Sequence, residues 1–172
     1  MLNCLHTCWN RRRYALKIRV QSIIVELGVL FAMLLTLALG VYLVPLSHDV
    51  AAANPTITYM RVPVLLMAWA VLACALAALL MAFLLLERIR KNRIFEQKSV
   101  SLLKGIGVCA LIAIIPMIIL ILYTRAHVAG SITNLWVMFG IFVLIIAAVF
   151  FFLIATLFQK AVDYKEEIDL TV

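Results

Sequence analysis

The sequence predicts an all-α integral membrane protein, a bundle of four transmembrane helices with its N-terminus and C-terminus in the cytoplasm. Of its 172 residues, 67% are hydrophobic and only 13% are charged, whereas a soluble domain carries about 25% charged residues. A soluble domain of this size could not keep so much apolar surface away from water. Lipid removes that difficulty, because apolar side chains can then face outward as well as inward.

Four long apolar stretches are the predicted transmembrane helices. A helix needs roughly 17–25 residues to cross a bilayer, and it satisfies its own backbone hydrogen bonds there. The alternation of a β-barrel strand is missing from all four stretches. The predicted spans cover residues 22–46, 62–86, 106–123 and 135–158.

The positions of Lys and Arg predict the orientation. Of the 15 Lys and Arg residues, all but Arg61 and Arg125 lie before the first span, between the second and third, or after the fourth. Basic loops remain in the cytoplasm. We therefore expect a multi-pass protein of the cytoplasmic membrane. Its cytoplasmic segments would be a basic N-terminal tail (1–21), a basic middle loop (87–105) and an acidic C-terminal tail (159–172).

Two residues inside the spans invite a functional interpretation. Glu26 is an acid in the first span, and an ionisable residue within a membrane is a functional hypothesis by default. It lies about one turn from the end of the span, however, where headgroup water or a basic loop residue could satisfy it. Pro116 should kink the third span because proline removes a helical hydrogen bond.

The small residues of the second span predict close packing near the centre of the bundle.

The middle loop divides into a basic half and an amphipathic half. Its basic half should lie against anionic lipid headgroups, to which each Lys or Arg contributes about 1 kcal/mol. Val100, Leu103 and Gly107 share one helical face. We therefore expect the third helix to begin as an amphipathic helix before it enters lipid.

The C-terminal tail is acidic and lies on the same predicted side as the basic loop. The two segments could pair within the molecule, although exposed ion pairs contribute only about 0–1 kcal/mol each. Residues 168–172 alternate between apolar and polar, a pattern that could add a strand to a partner's sheet. The alternative is a solvated, frayed terminus.

The loop and the tail also carry a family resemblance. Their motifs are Arg93-Ile94-Phe95, Leu103-Lys104-Gly105-Ile106-Gly107 and the tail sequence KEEIDLTV. They resemble a bacterial four-helix membrane family catalogued as Domain of Unknown Function 2975, whose members are often encoded beside a Cro/repressor-type helix-turn-helix regulator. The resemblance implies a membrane protein that binds or sequesters such a DNA-binding regulator. The partner-binding residues it suggests are Arg93, Phe95, Lys165, Glu166, Glu167, Asp169 and Leu170.

Other functions are supported less well. The sequence shows no catalytic or phosphate-binding motif, so we expect neither an enzyme, nor a cofactor, nor direct nucleic acid binding. His48, Asp49 and His127 lie in the predicted outer loops, 47–61 and 124–134, but nothing in their spacing requires a metal. The alternatives are an immunity or stress-protection protein that meets membrane-active peptides, or a small transporter. A transporter would be a homo-oligomer, and Glu26 alone supports it.

Overall fold

The computed structural model is entirely α-helical over the residues it describes. It describes the backbone of residues 2–53, 55–91, 96–127 and 132–170, and the side chains of 23–53, 58–91, 96–127, 134–164 and 167. The helices are α1 (Leu2–Ala53), a short 3₁₀ helix (Pro55–Met60), α2 (Arg61–Arg90), α3 (Gln97–His127) and α4 (Ile132–Leu170).

Four of these helices are long and apolar enough to cross a membrane, which confirms the number of predicted spans. The candidate spans are Ile23–Ala53, Thr58–Arg90, Gln97–His127 and Asn134–Tyr164. Each overlaps one predicted span and extends beyond it, because the helices continue past the apolar residues into polar sequence. The protein is a membrane protein by this criterion.

The four long helices pack in chain order, an arrangement that we call an open layer. Among the described residues α1 packs against α2, α2 against α3, and α3 against α4, and these are the contacts between the four long helices. In lipid, no hydrophobic driving force requires the outer faces of α1 and α4 to meet. Helix α2 has a neighbour on both sides, as its small residues predict, but so has α3.

The buried side chains concentrate at one end of this layer. Val100 and Leu103 of α3 pack against Ala155 and Val162 of α4, with Leu85, Phe151, Ile154 and Phe158 around them. Helix α2 ends here and α3 begins here. We call it the basic end, and define it as the end of the layer that contains residues 87–91 and 96–98.

Two glycines allow α3 to approach both of its neighbours. A Cβ added at Gly105 would lie 2.7 Å from Met81 Sδ on α2, and one added at Gly107 would lie 3.2 Å from the Phe152 ring on α4. Residues two apart point about 200° away from each other around a helix. In the Gly-Ile-Gly motif, one glycine therefore allows close packing against α2 and the other allows close packing against α4.

At the opposite end, the predicted outer loop 47–61 is largely helical. Helix α1 passes through Pro45 and continues to Ala53, so His48 and Asp49 lie on a helix and not in a loop. Arg61 Nε donates a hydrogen bond to Ser47 Oγ at 3.1 Å, which joins α2 to α1. Pro116 lies inside α3, and the kink it should cause stays a prediction.

Candidate functional site at the basic end

Helix α4 continues well beyond the predicted end of its span. Residues 159–170 add twelve helical residues, or about 18 Å at 1.5 Å per residue. We call these residues the α4 extension. Residues 168–170, part of the segment that could add a strand to a partner's sheet, have a helical backbone in this structure. No Gly or Pro occurs after Phe158 to stop the helix, so local helix propensity prevails over the short alternating pattern.

The amphipathic start of α3 is present as predicted. The helix begins at Gln97, and Val100, Leu103 and Gly107 are all buried. Val162, within the α4 extension, is 2% exposed and belongs to the same cluster as Val100. The start of α3 therefore supports the first turns of the α4 extension.

A polar contact that the sequence does not predict joins the same two elements. Gln159 Nε2 donates hydrogen bonds to Gln97 Oε1 at 3.1 Å and to Asp163 Oδ1 at 3.0 Å. Gln159 Oε1 is buried and accepts no hydrogen bond from the residues that the structure describes. The pairing of residues 62 positions apart has no local sequence signal, so only the packing of α3 against α4 reveals it.

The basic segment at the end of α2 forms ion pairs with acids close to it in the sequence. Arg88 Nη1 lies 3.1 Å from Glu96 Oε2, and Lys91 Nζ lies 2.7 Å from Glu87 Oε1. The Arg88–Glu96 pair connects the end of α2 to the residue before α3. Loop acids thus satisfy part of the positive charge that the sequence suggested the acidic tail would meet.

Glu26 contacts a basic residue of the same end. Its Oε2 lies 3.4 Å from Arg90 Nη1, and the side chains are 19% and 51% exposed respectively. A basic loop residue was one of the two partners that the sequence suggested for this carboxylate. The pair joins α1 to α2, so the presence of an acid at position 26 has a structural explanation.

The predicted partner-binding residues fall into two groups. Arg93 and Phe95 lie outside the described residues. Glu167 is exposed on the α4 extension. The backbone of Lys165, Glu166, Asp169 and Leu170 lies on the same helix, and their side chains are outside the described set.

His127, at the opposite end of the layer, packs between two tyrosines. Its ring centroid is 5.6 Å from that of Tyr59 and 4.6 Å from that of Tyr123, and its Nδ1 lies 2.9 Å from the Tyr123 carbonyl oxygen. No group of three or more His, Cys, Asp or Glu able to hold a metal occurs among the side chains described. His48 and Asp49 are exposed on α1.

The fold and the basic end together define a class of protein. Four membrane-crossing helices packed in chain order, with a helix extending beyond the last span, make this a polytopic α-helical membrane protein. Residues 45–172 match the family described as "Protein of unknown function (DUF2975)", and the chain belongs to that family. The match includes α2, α3, α4 and the whole basic end except Glu26.

One relative extends the similarity over nearly the entire chain. The chain is 31% identical over 159 residues to "Uncharacterized membrane protein YoaS" of Bacillus subtilis (strain 168), which covers 90% of this chain and 99% of the relative. No solved structure matches the chain. The relative's name supports the membrane assignment that the helices make independently.

Proposed function

We propose that this protein is a regulatory protein of the bacterial inner membrane that holds a cytoplasmic protein partner at its basic end. The partner class to test is a small helix-turn-helix regulator. The α4 extension carries the proposal, since it places a helix of about 18 Å beyond the predicted end of the last span at residue 158.

The base of the α4 extension is fixed to the rest of the molecule. Val162 packs on Val100 and Leu103, while Gln159 is hydrogen-bonded to Gln97. A helix held in place loses less conformational freedom on binding than a frayed terminus does. The extension is therefore suited to presenting residues 163–170 to a partner.

The charge of the α4 extension suits a basic partner. It carries Asp163, Glu166, Glu167 and Asp169 against Lys160 and Lys165. DNA-binding proteins carry clustered Lys and Arg on the face that meets nucleic acid. An acidic helix is complementary to such a face, and complementary charge accelerates association and selects partners.

The proposal also requires the basic end to face the cytoplasm. All but two of the Lys and Arg residues belong to segments on this side of the predicted spans, and basic loops remain in the cytoplasm. Both chain termini lie in the cytoplasm in this orientation. The α4 extension is then within reach of a soluble regulator.

A capture experiment with full-length protein tests the proposal. Wild-type protein is purified in mild detergent beside a neutralised-tail variant, Glu166→Gln/Glu167→Gln/Asp169→Asn, and bound proteins are identified by mass spectrometry. We expect wild type to retain a helix-turn-helix protein and the variant to lose it. Asp49→Asn, at the opposite end, is the matched control and should retain it.

Two results would contradict the proposal. Equal retention by wild type and the neutralised-tail variant would remove the α4 extension from the binding site. If no DNA-binding protein is captured from cells that express candidate regulators, a helix-turn-helix regulator is not the partner.

The alternative functions gain less from the structure. A transporter draws its support from Glu26, whose carboxylate is paired with Arg90 at the basic end. An immunity protein needs a lateral contact surface, and residues such as Phe31 and Phe142 do expose apolar rings on α1 and α4. Any helix against lipid exposes such rings, so this feature does not discriminate.

A further inference from the structure

A cleft of about 440 Å³ lies between α2 and α3 at the basic end. Its volume falls within the range of small-molecule sites, roughly 300–1,000 Å³. Each helix contributes one face, at the spacing of adjacent helical turns. The lining residues are Leu84, Glu87 and Arg88 on α2, Lys91 at its C-cap, and Lys98, Ser101 and Leu102 on α3.

The cleft changes from apolar to basic in a single direction. On α2 the lining runs from Leu84 to Lys91 as the chain approaches the middle loop, and on α3 it runs from Leu102 back to Lys98. Leu84 lies in the predicted second span and Leu102 lies four residues before the third, while both lysines lie nearer to the connection between the two helices. The two helices therefore build one gradient between them.

The basic side of the cleft has an excess of positive charge. Lys91 is paired with Glu87, and Arg88 with Glu96. No ion pair of Lys98 is seen among the described residues, and its side chain is exposed. Counting these five groups leaves one net positive charge, that of Lys98, beside the hydroxyl of Ser101.

We propose that this cleft binds one anionic phospholipid, with the phosphate at Lys98 and the glycerol and upper acyl carbons against Leu84 and Leu102. A basic pocket between membrane helices is a recognised arrangement for anionic headgroups. A phosphodiester carries one negative charge, which matches the unpaired lysine. This site goes beyond the proposed function and does not depend on it.

The apolar side of the cleft favours a lipid over a soluble phosphate. A free phosphate has no group to place against Leu84 or Leu102, and it would leave that side in contact with water. A phospholipid has both a charged and an apolar part in the order that the cleft presents. The two sources share the phosphate chemistry, so the experiment must separate them.

The test measures lipid binding to full-length protein in detergent. Native mass spectrometry counts bound phosphatidylglycerol, phosphatidylcholine of the same chain length, or inorganic phosphate over a titration. Lys98→Gln is compared with Lys104→Gln, which removes the same charge from an exposed position on the same helix outside the cleft. Lys98→Arg keeps the charge and should bind as wild type does.

We expect one phosphatidylglycerol to bind before others, about fivefold more weakly to Lys98→Gln and unchanged to Lys104→Gln. Equal weakening of phosphatidylglycerol binding by both substitutions would mean that the lipid is attracted by the overall surface charge and not by this cleft. If phosphatidylcholine bound as tightly as phosphatidylglycerol, the net charge of the headgroup would have no role in binding. Inorganic phosphate that binds tightly and excludes the lipid would assign the cleft to a soluble ligand; each of these three results overturns the proposal.

Discussion

Single residues at the basic end determine how closely the helices approach. Gly107 lies against the Phe152 ring, whereas Gly28 on α1 has nothing within 4 Å of an added Cβ. The family motif around Gly105 and Gly107 thus has a packing explanation that requires no partner. A glycine in a membrane helix therefore indicates close helix packing only where a neighbouring side chain or helix lies against it.

We expect Gly107→Leu to destabilise the protein and Gly28→Leu to leave it nearly unchanged. Overpacking a tight contact costs about 1–3 kcal/mol, and the Phe152 ring would have to move. Thermal unfolding in detergent, followed by size-exclusion chromatography, measures the difference. Similar melting temperatures for the two variants would show that α3 and α4 do not approach closely at Gly107.

A second residue-scale prediction concerns Glu26 and Arg90. Because Arg90 is half exposed, a double-mutant cycle with Glu26→Gln and Arg90→Gln should give a coupling below about 1 kcal/mol. Thermal stability in detergent supplies the values for the cycle. A much larger coupling, or altered ion flux in liposomes with Glu26→Gln alone, would restore a functional role for this acid.

At the scale of elements, α4 is much longer than the hydrocarbon core that it crosses. Its 39 residues extend for about 58 Å, against a hydrocarbon core of about 30 Å. Where it meets lipid, packing alone holds it against α3. If its extension meets water, as we propose, burial of Val162 gains the hydrophobic effect as well.

This difference predicts that Val162→Ala will loosen the α4 extension. Loss of the buried side-chain carbons costs about 1–2 kcal/mol, so amide hydrogen exchange should become faster across residues 159–170. Tyr164→Ala removes a larger side chain from an exposed position of the same extension and is the control. Equal exchange in both variants would mean that Val162 does not fix the extension.

At the scale of the molecule, the open layer gives the protein two distinct ends. The basic end contains the α4 extension, the cleft and the Glu26–Arg90 pair. The opposite end contains the 3₁₀ helix and the tyrosine-packed His127. The proposed orientation places these ends in different compartments.

We expect labelling of single cysteines in intact cells to separate the two ends. In a background lacking the 4 native cysteines, a membrane-impermeant maleimide should modify Asp49→Cys and leave Glu167→Cys unmodified until the cells are lysed. The positive-inside rule gives this direction. The reverse pattern would place the α4 extension outside and exclude a cytoplasmic partner.

The sequence predicted those features that depend on local composition or periodicity. Apolar length indicated four spans, and the spacing of Val100 and Leu103 indicated the amphipathic start of α3. It left the end of α4 open between a strand and a frayed terminus, because five alternating residues resemble a strand as easily as a helix. The Gln97–Gln159 contact and the cleft need two distant segments to be placed side by side, which no local pattern encodes. Composition also does not say which membrane helices contact one another.

That open layer also has a consequence for the order in which the protein is assembled. Among the described residues, α2, α3 and α4 each pack against the helix made just before them, so each can pack as soon as its predecessor is in place. Helix pairs can be completed one after another during synthesis, with little unpaired surface left exposed to misassembly. The last pairing to form is α3 with α4, and it is the one that creates the buried cluster at the basic end.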